Sequence, residues 1–586
     1  MSRRVLASTL GSCAVLLAGV AGAPAATALA TDGPVLPPAL DFGAAPVFTS
    51  HTRDITVSVP PESATVTFPA VAATVEADGA ATGVEDFSVV ADHCAGEDVT
   101  PGGSCTVTVG FDPFDVGARQ AVLRLESTSP ATSQTVALTG TGTPDATGTY
   151  YGISPTRFLD TRKDGTKRPL ARSSTTTVRI GGRSGIPTAG VSAVVLNLTA
   201  VTTTAQGYFT VYPSNRARPT VSSINFPKGW TGANMVTVPV SPDGTLKLYN
   251  NGGAAHAIID DLGWYAEDDS VRAATGMGTQ FLPADEKTGD AQRRYDSRTD
   301  PDGAFAGGGN IQFEDTWASP EDAAAVKSYV VNVTAVDATS EGVLTLWQGG
   351  TAKKPTVSSV NYVKGTVAPN MAVVPAGHYS SLTSGFKLQN TGSGEVDVVV
   401  DEVGYYLANR AEGLRFVPRA TPKRLVDTRK PLGPDTVLSG AFGAGARTVK
   451  ADSVTGPDSY FVVANTTGIL PTRRTYVTVW SGEAGRPSAS NLNVNAGVVR
   501  SASTYAPLRF VAGPPEAFSF KVYNDAGSMH LALDVAGTFD AYPGSAATAP
   551  AGVAAAESTR SPSGRLATTR RDAPHVDTPH RDTVRH

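Results

Sequence analysis

Short stretches of alternating apolar and polar residues fill the N-terminal part of the chain, and Gly and Pro separate them. A period of two, interrupted by turn residues, is typical of half-buried antiparallel strands, and six or seven such strands predict a β-sandwich. We therefore predict a sandwich domain over residues 34–143. The stretches are Ile55–Val59, Ala64–Phe68, Phe87–Val90, Cys105–Val109, Ala121–Leu125 and Thr135–Thr139.

After residue 148 one unit is repeated three times. Each copy begins with an Arg-x-x-Asp-x-Arg motif, at Arg157–Arg162, Arg293–Arg298 and Arg424–Arg429. A block of this length with five or more short strands predicts a complete sandwich or jelly-roll-like domain, not one turn of a solenoid. We predict repeat domains at 149–266, 275–407 and 412–541, which either lie in a row or pack around a pseudo-threefold axis.

Later landmarks recur at matching places in the copies. Each copy has a strand ending in Asn-x-Thr, at Asn197, Asn332 and Asn465, and each closes with Asp-x-x-Gly and then an aromatic residue, at Tyr265, Tyr406 and Phe539. One position differs, since the third copy has Ala502 where the first two have Asn234 and Asn370.

The two ends of the chain differ from the repeats. Arg3 and Arg4 precede an apolar stretch, and Ala28–Ala30 supplies the small residues that signal peptidase requires, so we predict a signal peptide at 1–30. Residues 544–586 are rich in Ala, Ser, Thr, Pro and Arg without periodicity and are predicted to form a disordered tail. No later stretch reaches the roughly 18 apolar residues that span a bilayer, so no membrane span is expected.

Composition narrows the function classes. The 586 residues are too many for one core, and 48 Lys and Arg against 53 Asp and Glu give a net charge of −5. That balance offers no overall basic field for a polyphosphate backbone, so we expect no nucleic-acid partner. Because of the predicted signal peptide, we expect the protein to be extracellular or associated with the cell wall.

Two cysteines remain once the predicted signal peptide is removed. In an oxidising exterior Cys94 and Cys105 are expected to form a disulfide, which would stabilise the first domain by roughly 3 kcal/mol. A zinc site is a weak alternative because only His93 lies nearby. We predict no cofactor and no metal.

Two resemblances to known families add to this reading. The landmarks Leu40–Gly43, Phe87–Val89, Cys94, Ser104–Val107, Phe111–Pro113 and Ala137–Gly142, in that order, resemble the choice-of-anchor D domain of bacterial surface and secreted proteins. This resemblance implies an immunoglobulin-like fold without catalytic residues. The three copies resemble a repeat common in secreted actinobacterial proteins, sometimes fused to cell-wall amidases, which implies a location and an architecture more than an activity.

The repeated Arg and Asp residues are the first candidates for a specific role, either as structural ion pairs or as catalytic groups. In a regular strand Asp160 and Arg162 share one face and Arg157 takes the other, so we expect Arg157 to pair with Asp260 near the end of the same repeat. The alternative makes Asp160 and Asp260 the acid and base of a glycosidase. We predict the same structural ion pairs in the other copies, among Arg293, Asp296, Arg298 and Asp401, and among Arg424, Asp427, Arg429 and Asp534.

Aromatic residues carry the second candidate chemistry. Each copy has a strand that ends in an aromatic residue on the face of its central threonine: Tyr212 with Thr210, Trp347 with Thr345 and Trp480 with Thr478. If that face meets solvent, these rings can stack on sugars; if not, they are core or inter-domain contacts.

The sequence as a whole favours a non-enzymatic secreted or cell-surface protein that is adhesive, glycan-binding or structural. Its histidines lie in no Gly-x-Ser-x-Gly or His-Glu-x-x-His context, and no cysteine is left as a nucleophile. Cell wall, polysaccharide or other surface proteins are the expected partners. A secreted hydrolase acting on cell-wall or polysaccharide substrates is the alternative.

Overall fold

The computed structural model describes residues 33–541 except 48, 78–82, 114–116, 144, 166, 351, 409–412, 431–438 and 512–516. The predicted signal peptide and the predicted tail lie outside the described residues. The described part of the chain is nearly all β and forms paired antiparallel sheets, which confirms the predicted fold class of tandem β-sandwiches. None of its helices is long and apolar enough to cross a bilayer.

Two compact units make up the chain. Among the described residues, the smaller unit comprises 33–41, 52–110 and 120–139, and the larger comprises 42–51, 111–119 and 140–541.

The first nine strands form sheets ordered β1-β9-β8-β4 and β2-β7-β5, with a short β3-β6 pair. Strand β8 buries Ala121, Leu123 and Leu125 and leaves the residues between them more exposed, as alternation predicts. Cys94 and Cys105 form the predicted disulfide. The strands are β1 Ala39–Pro46, β2 His51–Ser58, β3 Val66–Thr67, β4 Ala73–Glu76, β5 Phe87–Asp92, β6 Asp98–Val99, β7 Ser104–Phe111, β8 Gly117–Thr128 and β9 Ala131–Thr143, with a 3-10 turn at Val84–Asp86.

The first repeat has two four-stranded sheets, an inner sheet ordered β10-β17-β12-β15 and an outer sheet ordered β11-β16-β13-β14. Counted within the repeat, this is the order 1-8-3-6 and 2-7-4-5 of a jelly roll. Its elements are β10 Tyr150–Asp160, β11 Thr175–Arg179, β12 Val191–Val201, β13 Gly207–Pro213, β14 Ile224–Phe226, β15 Gly232–Pro239, β16 Thr245–Asn250 and β17 His256–Ala266, followed by a 3-10 turn at Asp269–Val271 and helix α1 Arg272–Thr275.

The second repeat keeps this order, but its first strand is divided into β18 and β19, which both pair with β27. Its elements are β18 Gln280–Pro283, β19 Gln292–Asp296, β20 Asn310–Thr316, α2 Pro320–Ala325, β21 Val326–Val336, β22 Gly342–Gln348, β23 Val360–Tyr362, β24 Ala368–Pro375, β25 Gly377–His378, β26 Thr383–Asn390 and β27 Asp397–Leu407.

In the third repeat one long strand, β35, serves both sheets. Its first half pairs with β29 and β31, and its second half pairs with β28 and β30. The strands are β28 Arg415–Asp427, β29 Phe442–Lys450, β30 Ser459–Ile469, β31 Thr475–Trp480, β32 Leu492–Val494, β33 Val499–Pro507, β34 Arg509–Val511 and β35 Ala517–Asp540.

The inner sheets are buried on both faces. In β12, Val194 and Leu196 point into the core of the first repeat, whereas Ala193 and Val195 join a second core built from all three repeats. At the centre of the shared core the closing aromatic residues form a nearly equilateral triangle. Their ring centroids are 6.4 Å apart for Tyr265 and Tyr406, 6.3 Å for Tyr265 and Phe539, and 6.5 Å for Tyr406 and Phe539. The three repeats therefore pack around a pseudo-threefold axis and do not lie in a row.

Candidate functional site

The Arg-x-x-Asp-x-Arg motif forms a closed ion-pair cluster in the first repeat. Arg157 donates from Nε and Nη2 to the two carboxylate oxygens of Asp260, at 2.8 and 3.2 Å, and its Nη1 lies 3.5 Å from Asp160. Arg162 donates to both oxygens of Asp160, each at 2.8 Å. The cluster ties the first strand of the repeat, β10, to its last strand, β17.

The expectation that Arg157 and Asp160 lie on opposite faces is wrong. The pairing of β10 with β17 shifts register between Arg157 and Leu159, so a β-bulge inserts one residue and brings the two side chains to one face. The same shift follows Arg293 in the second repeat and Arg424 in the third. This backbone feature explains why the three-residue spacing recurs.

The other repeats have the same cluster with small differences. In the third, Arg424 donates to Asp534 at 2.7 and 2.9 Å and to Asp427 at 3.1 Å, and Arg429 donates twice to Asp427 at 2.8 Å. In the second, Arg293 uses Nε for Asp401 and Nη1 for Asp296, which also accepts from Arg298.

Burial and hydrogen bonding set the ionisation of these carboxyls. The hydrogen bond from Arg162 lowers the pKa of Asp160 to about 2 against the opposing effect of burial. Burial raises the pKa of Asp427, but the hydrogen bonds from Arg429 outweigh it and leave that pKa at about 2. For Asp260, burial raises the pKa and Arg157 opposes it only in part. Asp160 and Asp260 are fully buried and engaged by arginine, an arrangement that suits a structural role.

Tyr212, Trp347 and Trp480 are buried, with 6%, 9% and 4% of their surface exposed. The sugar-stacking interpretation of these rings is therefore wrong, because stacking needs an accessible face. In the first and third repeats the connection after the strand covers the threonine face: Thr210 donates to Val221 O and Thr478 donates to Ala489 O, each at 2.8 Å. Tyr212 also lines a small cavity together with Val463 of the third repeat.

Other tyrosines occupy the outer sheets of the first and third repeats. In the third repeat, the guanidinium of Arg486 lies 4.0 Å from the ring centroid of Tyr523, and its Nη1 donates to the hydroxyl of Tyr476 at 3.1 Å. The rings of Tyr476 and Tyr523 are 6.1 Å apart. Arg486 is exposed and both tyrosines are partly exposed, so this Tyr–Arg cluster is open to a ligand.

The first repeat has the equivalent set. The guanidinium of Arg218 lies 3.7 Å from the ring centroid of Tyr249 and covers it, so Tyr249 is buried, unlike Tyr523. Tyr208 is partly exposed on the same face of the sheet. We call Tyr208, Arg218 and Tyr249 the Tyr–Arg cluster of the first repeat, and Tyr476, Arg486 and Tyr523 that of the third.

The second repeat lacks these aromatic residues. Val343 and Gln389 stand at the corresponding strand positions, and Lys354 donates to Gln389 at 2.7 Å. This repeat therefore supplies a natural control for the other two.

The sequence patterns pointed to aromatic residues that are buried and did not point to the partly exposed tyrosines Tyr208, Tyr476 and Tyr523. Tyr249 and Tyr523 stand between two buried residues of their strands, and an Arg-Pro pair lies within the connection that reaches each of them. Those signals could have identified the clusters, but the contact between connection and strand is not visible in the sequence.

No group of three or more His, Cys, Asp or Glu side chains within the described ranges could hold a metal ion.

No family model and no curated protein matches the chain. Among solved structures, it is similar to VesB protease of Vibrio cholerae, at 19% identity over 19% of this chain and 32% of that chain with a TM-score of 0.16. The secreted serine protease VesC from Vibrio cholerae is 13% identical over 40% of this chain and 51% of that chain, with a TM-score of 0.16. The chain thus spans about a third of VesB and about half of VesC.

A structure described as "The Triple Jelly Roll Fold and Turret Assembly in an Archaeal Virus" is 8% identical over 67% of this chain and 90% of that chain, with a TM-score of 0.14. At these TM-scores none of the three similarities supports an argument about this protein.

Proposed function

We propose that this chain is a non-enzymatic extracellular protein that binds cell-wall or other polysaccharide through the Tyr–Arg clusters of its first and third repeats. The proposal rests on the recurrence of the cluster at the same place in the outer sheet of two of three repeats. In the third repeat both tyrosines are partly exposed, and in the first Tyr208 is partly exposed and Arg218 exposed, whereas Tyr249 is buried beneath Arg218.

The chemistry of the clusters suits a sugar chain. A tyrosine ring presents an apolar face to the C–H groups of a sugar and a hydroxyl to its polar edge. The arginine beside it donates several hydrogen bonds to hydroxyl or carboxylate oxygens. Two such sites on one compact unit bind a polymer with higher avidity than either site alone, since the second contact forms within the complex.

Features of the sequence favour a location outside the cell or at its surface. The chain begins with a predicted signal peptide, and its resemblance to choice-of-anchor D domains and to secreted actinobacterial repeats implies display at or beyond the cell surface. The disulfide between Cys94 and Cys105 fits an oxidising compartment.

The test is a pull-down of the full chain on insoluble peptidoglycan and on neutral polysaccharides. Tyr208→Ala combined with Tyr476→Ala should weaken binding by about tenfold or more, which corresponds to about 1.4 kcal/mol. Val343→Ala, at the matching position of the second repeat, should leave binding unchanged.

Two results would overturn the proposal. One is equal binding by the Tyr208→Ala/Tyr476→Ala variant and the unmodified chain. The other is turnover of a glycan that Asp160→Asn abolishes in a folded protein, which would favour the hydrolase.

A further inference from the structure

A cleft in the first repeat is separate from the Tyr–Arg clusters. Its volume is about 410 Å³, and β10 and β11 form its walls. Its charged lining comprises Arg157, Asp160, Lys163, Asp164, Arg179 and Arg183.

The segment that builds this cleft is unusually basic. From the motif arginine to the end of the next strand, residues 157–179 contain seven Lys and Arg against two Asp, a net charge of +5. The matching segment of the second repeat, 293–316, contains three Arg against five Asp and Glu, a net charge of −2. In the third repeat, residues 424–450 contain five Lys and Arg against two Asp, a net charge of +3. The first repeat therefore concentrates positive charge in a chain whose net charge is −5.

The acidic groups at the cleft are already engaged. Asp160 accepts from Arg162 and lies beside Arg157, and Asp164 accepts from the backbone N–H of Asp160 at 2.6 Å. Two cations of the lining, Lys163 and Arg179, are exposed. Neither forms an ion pair with any residue in the described part of the chain.

The connection between the two cleft walls adds further cations. Lys167, Arg168 and Arg172 are exposed there, and none of them forms an ion pair with a described residue. The only acidic side chains of this segment are the two aspartates at the cleft, so an anion meets an excess of free cations.

We propose that this cleft binds the phosphate groups of a polyol-phosphate polymer, a chain of phosphodiester-linked alditols. Arginine and lysine side chains are the donors that phosphate oxygens prefer, and a polymer extends the contact from Lys163 and Arg179 to the cations of the connection.

The surroundings of Phe158 set this polymer apart from nucleic acid. Proteins that bind single-stranded nucleic acid offer open aromatic rings to the bases. The aromatic ring lining this cleft is that of Phe158, which is buried and covered by the guanidinium of Arg183 at 4.6 Å. The cleft therefore offers charge without a stacking platform.

The experiment measures binding of the full chain to poly(glycerol phosphate) over a range of salt concentrations. Lys163→Gln combined with Arg179→Gln should weaken binding at low salt by about tenfold or more and reduce the slope of log affinity against log salt by about 1 to 2. Lys353→Gln combined with Lys364→Gln removes the same charge from exposed positions of the second repeat and should leave affinity and slope nearly unchanged.

Several outcomes would overturn the proposal: no binding to poly(glycerol phosphate), equal losses in the two variants, or equal or tighter binding to polygalacturonate or single-stranded DNA. Tyr208→Ala/Tyr476→Ala serves as a further arm. It should leave phosphate-polymer binding intact, so failure here and failure of the glycan proposal are separate results.

Discussion

A pair of hydrogen-bonded asparagines joins the repeats at the first–second and first–third interfaces. Both members are buried at the first–second interface, and at the first–third interface Asn234 is buried and Asn465 partly buried. Asn370 donates to Asn197 Oδ1 at 2.9 Å, and Asn234 donates to Asn465 Oδ1 at 2.9 Å. The second–third interface has Ala502 at the matching position. There Asn332 Oδ1 is buried and has no hydrogen-bond partner among the described residues.

One contact is common to all three interfaces. The strand asparagine of each repeat donates to a serine carbonyl of its neighbour: Asn197 to Ser358, Asn332 to Ser490 and Asn465 to Ser222. This cyclic pattern follows from the pseudo-threefold arrangement.

The second–third interface uses its ion-pair cluster in addition. Arg293 directs Nη2 to Ser488 O at 2.8 Å, and the N–H of Ser490 lies 3.3 Å from Asp401 Oδ2. In the first and third repeats the equivalent Nη2 donates to the aspartate of its own repeat. Ser481 of the third repeat also donates to the buried Asp290. The asparagine pair that joins the repeats at two interfaces is therefore absent from the second–third interface, where the ion-pair cluster of the second repeat contacts the third repeat instead.

The largest expected effect comes from removing the charge at the second–third interface. Arg293→Met leaves the fully buried Asp401 without its guanidinium and should reduce the free energy of unfolding by about 3–5 kcal/mol at pH 7. Arg298→Met, whose side chain is half exposed, should cost clearly less in the same chemical denaturation experiment.

The pH dependence sharpens this prediction. Burial raises the pKa of Asp401, and loss of Arg293 removes the main effect that opposes burial. The folded carboxyl then binds its proton more tightly than the unfolded one, so stability is lost as pH rises through the folded pKa. The deficit of Arg293→Met should be larger at pH 8 than at pH 5, and an equal deficit at both would contradict this account.

A smaller effect is expected from Asn370→Ala at the first–second interface. The change removes donation to Asn197 Oδ1 and Ser359 O and acceptance from the N–H of Met235, all in a buried site. The free energy of unfolding should fall by about 2–3 kcal/mol. Asn332→Ala is the control and should cost about 1 kcal/mol, because it removes one bond and an unpaired oxygen together. Equal costs would show that the interfaces do not differ in this way.

The smallest expected effect is an increase in stability. Ala502→Asn places an amide opposite Asn332 Oδ1 and should raise the free energy of unfolding by about 1 kcal/mol. Thermal or chemical unfolding measures the gain, and a double-mutant cycle with Asn332→Ala should abolish it. A loss of stability would mean that this interface is too tightly packed for the larger side chain.

The repeat pattern made much of this architecture predictable. The alternation in β8 and the recurrence of the motifs predicted an all-β chain with three equivalent domains, and Cys94 and Cys105 predicted the disulfide. The missing asparagine at Ala502 was also visible, although its meaning depends on Asn332 of another repeat. The Tyr–Arg clusters and the cleft were not predicted, because each depends on a connection folding back onto a strand.

The sequence by itself determined which residues of a strand share a face and how many times the unit recurs, because both are local periodicities of the chain. Only the tertiary structure decided what covers each face. The packing of three repeats around one axis buries Val195 as fully as Val194 and encloses Tyr212, while a bulge brings Arg157 and Asp160 together. These outcomes depend on residues more than a hundred positions apart or on a single register shift, and a pattern of period two reports neither.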